Sequence, residues 1–230
     1  FAVLSFALVT FATLIVVALA VVVGRLLALP PEWVAAGLVT IAVAGVMIGG
    51  ASGHAWTNAV QAAVMVVVAV ILLAKGLPLL FEGGVTERLA AIDPNLVGLT
   101  NPASPFFRSV FEVFVCNFVI GLAIVCQPHI IAKALYLRDD REVRAYLATA
   151  IGVGLLFTGV LVTGLWARLA LSGTLPIDRV VSSWIAAAFP AGVQVLLTVG
   201  LLCAGLSTLE GILLALSATV SADFYPLLTG

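Results

Sequence analysis

Charge is what this chain has least of. Asp, Glu, Lys and Arg make up 9% of its 230 residues, against ~25% in ordinary soluble domains. So few ionic side chains cannot cover the surface of a globule of this size, and a water-soluble fold is excluded. The formal net charge of −1 supplies no basic field, so no nucleic-acid partner is expected. Cysteine is scarce too. Cys116, Cys126 and Cys203 all lie inside apolar runs with no metal-ligand spacing, and are read as small hydrophobic filler. A zinc pair, a phosphate-binding glycine loop, a nucleophile elbow and a redox pair are all missing, so no enzyme is expected. The apolar opening from Phe1 has no basic leader region or cleavage site and runs too far for a signal peptide, and the chain is expected to be an internal piece of a longer protein.

What is abundant is hydrocarbon. Hydrophobic residues reach 63% and mean hydropathy is +1.27, which makes lipid the solvent and the fold class an all-α polytopic membrane helix bundle. About six transmembrane helices are expected. The first covers Phe1 to about Leu29 and closes at Pro30-Pro31. The second runs from Trp33 to Gly50 and ends in a turn at Gly49–Gly53, and the third from Trp56 to about Leu80. Phe81–Pro105 is the largest polar loop. A fourth span, Phe106–Leu137, is interrupted at Gln127-Pro128-His129. A compact aqueous loop at Arg138–Arg144 leads to a fifth span reaching about Leu171. After a polar stretch with Pro176, Asp178 and Arg179, Pro190 opens the sixth, which runs to about Ala222. Lys and Arg are densest around Arg138–Arg144, whereas their raw count favours the opposite side, so charge alone leaves orientation open.

The sixth helix carries most of the chemistry. Ala204, Thr208, Gly211, Ala215, Ala218 and Ala222 recur at three- and four-residue spacing, a small-residue face that lets another helix approach. Ser207 and Thr208 either bond back to carbonyls one turn earlier or, with a backbone carbonyl, offer neutral oxygens to a hard cation that must also be released. Glu210 lies deep in the same run, where an ionised carboxylate costs ~2.5–3.5 kcal/mol or more unless it faces protein or water. It is either a protonated acid bonded to a neighbouring helix or part of a proton or cation relay. Arg108 and Glu112, four apart, are read as a structural pair. The break at Gln127-Pro128-His129 frees backbone groups that must face protein or a wet cavity, the arrangement in which secondary transporters hold solute. The first three spans are expected to hold no buried acid or histidine, with His54 a solvated turn residue.

Three stretches resemble a known family. Gly49-Gly50 followed by Trp56-Thr57-Asn58-Ala59-Val60-Gln61 is similar to a glycine pair and W-T-D-x-x-Q motif. Cys126-Gln127-Pro128-His129-Ile130-Ile131 with Lys133 is similar to G-Q-P-H-I-x-x-R. Leu206-Ser207-Thr208-Leu209 through Ser217, Asp223 and Tyr225 resembles an S-T-L helix ending in D-L-Y. Their order and spacing resemble the sodium/solute symporter family, which includes the bacterial sodium/proline, pantothenate and acetate permeases.

The resemblance implies an inverted-repeat, leucine-transporter-like fold. In it, residues 1–80 are the last three helices of the first repeat, 81–105 the connecting loop, and 106–230 the first three helices of the second. It implies that Arg138–Arg144 is cytoplasmic, in a multi-pass protein of the cell membrane. It implies sodium as coupled ion, with Ser207, Thr208 and the Ala204 carbonyl as ligands, and a small-molecule solute contacted at Gln127, with Ile124 and Pro128 beside it. Two departures stand out: Asn58 occupies the motif's Asp position, and Ile120 and Ile124 stand where sodium/proline transporters carry aromatics. Glu210 replaces a small residue and, with Asn58, is a candidate coupling residue. The expected function is sodium-coupled symport of a small organic solute such as a carboxylate or amino acid. The alternatives are a symporter-like sensor module of a signalling protein and proton-coupled transport through Glu210. Oligomeric state is left open.

Overall fold

The structure is a computed structural model that describes residues 2–127, 130–131, 137–171, 175–176 and 179–226. Among them there is helix and no strand, as expected where the solvent offers the backbone no hydrogen bonds. Helix α1 spans Ala2–Leu27. It ends with Ala28 at φ 53° and the Leu29 N–H reaching back to the Gly24 carbonyl at 2.9 Å, a left-handed stop that satisfies a terminal carbonyl before the proline pair.

Helix α2, Pro31–Phe81, holds 51 residues, about 76 Å at 1.5 Å per residue and more than twice a ~30 Å hydrocarbon core. It is therefore two limbs, and the joint is Gly50, at φ 53° and ψ −154°, a conformation essentially reserved for glycine. This corrects the expected turn at Gly49–Gly53. The break is one residue long and helix resumes at Ala51, so His54 stands in the first turn of the second limb and not in a loop.

The polar stretch after α2 is also more ordered than expected. It contains α3, Val85–Ile92, and a short tighter turn at Pro94–Leu96, where Asp93 accepts the Asn95 N–H. A π-helical turn, Phe111–Cys116, leads into α4, Asn117–Val125. Before it, Arg108 and Glu112 pair at 2.8 Å on the surface as expected. Helix α5 spans Asp140–Leu161. Asp139 caps it by accepting the Glu142 N–H at 2.8 Å, while Glu142 reaches back to the Arg138 N–H at 2.8 Å. The stretch expected as an aqueous loop, Arg138–Arg144, is thus a helix N-terminus using its own acids as caps. Helices α6, Thr163–Ala170, and α7, Val180–Ala188, follow. Pro190 then opens α8, Ala191–Thr219, its carbonyl accepting the Val193 and Gln194 N–H groups. Asp178 lies outside the described residues.

Among the described residues, three helical stretches are long and apolar enough to cross a membrane: Pro31–Leu79, Asp140–Ala170 and Ala191–Ala222. Leu8–Gly24 and Phe111–Val125 are shorter apolar helices. The chain divides into two compact units. One comprises Phe1–Met65, Gln127–Tyr136 and Val195–Gly230, the other Val66–Cys126 and Leu137–Gln194. In the first, Leu19, Ala20 and Val23 of α1 pack with Val34 and Leu38 of α2, joined by Leu202 and Leu206 of α8. In the second, Trp166 of α6 is 3% exposed and its ring packs against Gly76 of α2, where any side chain would run into the indole.

That contact makes a prediction. Gly76→Ala should lower stability by about 1–3 kcal/mol through overpacking, whereas Gly37→Ala, with open space around it, should be neutral or stabilising. Melting of the purified variants in detergent measures both.

Candidate functional site

Three polar side chains of α2 recur at helical spacing, His54, Thr57 and Asn58, with Gln61 one turn further. They share one face because they stand at i, i+3, i+4 and i+7. Opposite them on α8 stand Ser207, Glu210 and Gly211. Asn58 meets Ser207, whose hydroxyl donates to Asn58 Oδ1. One turn away His54 meets Glu210, with Nδ1 3.1 Å from Oε2. Residue number falls on α2 as it rises on α8, so the two helices cross antiparallel.

Glu210 is 6% and His54 8% exposed. In its ionised form Glu210 can only accept, and the imidazole Nδ1 then carries the proton of this bond. Thr57 Oγ1 lies 3.3 Å from the same Oε2, but also 3.0 Å from the His54 carbonyl and 3.2 Å from that of Gly53, and its single proton is shared among them. The other limb of α2 closes the site. Gly45 lies so near Glu210 Oε1 that a side-chain carbon there would stand 3.6 Å away. The carboxyl group therefore sits in the elbow that Gly50 opens in α2. His54 Nε2 faces Gly211 and, with Gln61 Oε1, is buried without a hydrogen-bond partner.

Both readings of the α8 hydroxyls bear on what is seen. Thr208 Oγ1 donates back to the Ala204 carbonyl at 2.9 Å, the membrane-helix habit of threonine. Ser207 does not; its proton goes across to α2. Each hydroxyl has one proton and two lone pairs, and with both protons committed the lone pairs are what the two oxygens have left to offer. The Ala204 carbonyl is more occupied, since within a helix it also receives the N–H four residues on.

Of the small-residue face, Gly211 is buried, Ala204, Thr208 and Ala215 are half-buried, and Ala218 and Ala222 are exposed. The tight approach to α1 is instead made by Gly205, against the Leu19 side chain. The Glu210 bond to a neighbouring helix is seen. The expectation that the first three spans lack a buried histidine is not: His54 is buried and paired.

The interruption of the fourth apolar run is present. Helix α4 stops at Val125, Gln127 forms a bend, and its carbonyl accepts the N–H groups of Ile130 and Ile131 at 2.9 and 3.0 Å. Gln127 falls in the same compact unit as Ser207 and Glu210, whereas Ile124, 48% exposed, belongs to the other. Pro128, His129 and Lys133 lie outside the described residues, as does the side chain of Asp223.

A helical chain with spans of this length and a buried polar cluster between two of them is a multi-pass membrane protein whose chemistry lies inside the bundle. The profile of the sodium:solute symporter family matches residues 1–229, and the chain belongs to that family of sodium-coupled solute transporters. No curated protein and no solved structure matches it. Membership points to transport and not catalysis, with sodium as the coupled ion and a solute as cargo.

Glu210→Ala should leave His54 without its partner and lower stability by about 1–3 kcal/mol, the usual consequence of orphaning a buried polar group. Thr57→Val, which removes an exposed and shared donor, should lower it by about 0.5 kcal/mol. Melting in one detergent ranks the two.

Proposed function

We propose that this chain is part of a sodium symporter for a small polar organic solute, a carboxylate or amino acid, in which Ser207 and Thr208 supply hydroxyl oxygens to the transported ion. The observation that carries the reading is the disposal of their protons. Ser207 gives its proton to Asn58 and Thr208 to Ala204, which leaves two neighbouring oxygens with free lone pairs in a half-buried stretch of α8. Neutral oxygens suit a hard cation that must leave again, because no fixed charge holds it at the ligands themselves.

The Ala204 carbonyl is the third ligand of this reading. Solute is assigned to the bend after α4, at Gln127, because a helix interrupted within an apolar run must satisfy its freed backbone groups on protein, water or ligand. Residues 1–80 and 106–230 are assigned to successive inverted repeats, with 81–105 between them. The cell membrane is the assigned location. A weak ion site suffices energetically, since the membrane potential contributes about 2.3 kcal/mol per charge per 100 mV.

The test is uptake of radiolabelled organic acids and amino acids by the full-length protein in proteoliposomes, with and without an inward sodium gradient. Ser207→Ala and Thr208→Ala should each raise the sodium concentration for half-maximal uptake about tenfold, equivalent to about 1.4 kcal/mol. Sodium dependence that both variants leave unchanged would remove the ion site.

A further inference from the structure

We propose that His54 is a positioning residue for the cation site: by holding Glu210 in the elbow of α2 it fixes the rotation of α8 that keeps the Ser207 hydroxyl on Asn58. The inference rests on the reading of Ser207 and Thr208 as sodium ligands and adds to it a residue that touches neither ion nor solute.

Two fixed points set the rotation of α8. A single hydrogen bond between Asn58 and Ser207 leaves α8 free to roll about its axis. Glu210 is three residues on from Ser207, on the same face and about 4.5 Å along the axis, so a second anchor there removes that freedom. The anchor is specific. Among the described side chains of α1, α8 and the part of α2 in the same unit, the titratable groups are Glu32, His54, Cys203 and Glu210. Glu32 is exposed at the start of α2, and the contact formed among these groups is the hydrogen bond between His54 and Glu210. Thr57 is a poorer donor, being exposed and closer to a backbone carbonyl than to Glu210.

Burial makes His54 hard to replace. Water cannot readily take over its bond, because the carboxyl is buried with Gly45 and His54 against it. Deprived of the imidazole N–H, Glu210 is left to seek a donor on its own helix face, where Ser207 stands one turn earlier. A Ser207 proton drawn toward Glu210 leaves Asn58, and the oxygen that was poised for the ion turns with it. The ring also stands beside Gly211 of α8, with Nε2 3.8 Å from where a side-chain carbon there would lie, so its loss removes a packing contact as well as a hydrogen bond.

The experiment is equilibrium binding of radioactive sodium to the full-length protein in lipid nanodiscs, with melting followed on the same samples. His54→Ala should weaken sodium binding about tenfold, as one lost buried hydrogen bond to a charged group converts. His54→Gln, whose amide still donates to Glu210, should stay within about threefold of the unaltered protein. On a Ser207→Ala background His54→Ala should cause no further loss, because the two act through one oxygen.

If His54→Ala does not fold, Thr57→Val carries the test, weakening sodium binding about twofold and again not additively with Ser207→Ala. Unaltered sodium affinity in folded His54→Ala, or in Thr57→Val where His54→Ala does not fold, or a loss fully additive with Ser207→Ala, overturns the positioning role while leaving the ion site in place. Sodium binding that Ser207→Ala itself does not change overturns the ion site, and the role of His54 with it.

Discussion

A carboxyl group enclosed within an apolar helix bundle is the constraint around which the described site is arranged. Glu210 lies in the middle of a long hydrophobic run and is 6% exposed, so lipid cannot solvate it and its partners must come from protein. They come from one helix bent in two: Gly45 before the break, His54 and Thr57 after it. The bend depends on Gly50, whose backbone conformation only glycine adopts freely. Without that elbow the two limbs of α2 could not both lie against the same carboxyl.

From this anchor the rest of the site follows by helical geometry. Fixing Glu210 against His54 fixes the face of α8 that also bears Ser207, and Ser207 in turn meets Asn58. Thr208, the next residue, points its proton back along its own helix. Sequence thus determines the disposal of protons, the disposal of protons leaves lone pairs on two adjacent oxygens, and such oxygens are what a transported hard cation can use. Membership of the sodium:solute symporter family supplies the ion's identity; the structure supplies the reason why a pair of alcohols sits beside a buried acid.

Much of this was legible in the sequence, and what was not has a definite physical cause. Long apolar runs and their prolines placed α1, the stop after α4 and the start of α8, because hydrophobic length and a missing N–H act locally. Ser207, Thr208 and Glu210 stood out for the same reason: polar groups in lipid are conspicuous. His54 did not. Four glycines and serines before it read as a turn, whereas the break is confined to Gly50 and helix resumes at once, which puts His54, Thr57, Asn58 and Gln61 on one face. Had the helix been started at Ala51, that spacing would have shown the polar face, though not its partner on α8, which is a tertiary fact. Arg138–Arg144 misled in a similar way, since acids that look like a solvated loop also serve as helix caps.

The most direct test of the account is an experimental density map of the full-length protein in a lipid bilayer, determined once in sodium and once in a large organic cation that cannot replace it. The account predicts a compact density in contact with both Ser207 Oγ and Thr208 Oγ1, present only in sodium, with Glu210 held in the elbow of α2 by His54. Hydroxyls turned toward acyl chains, or a Glu210 side chain withdrawn from His54 in both maps, would contradict it.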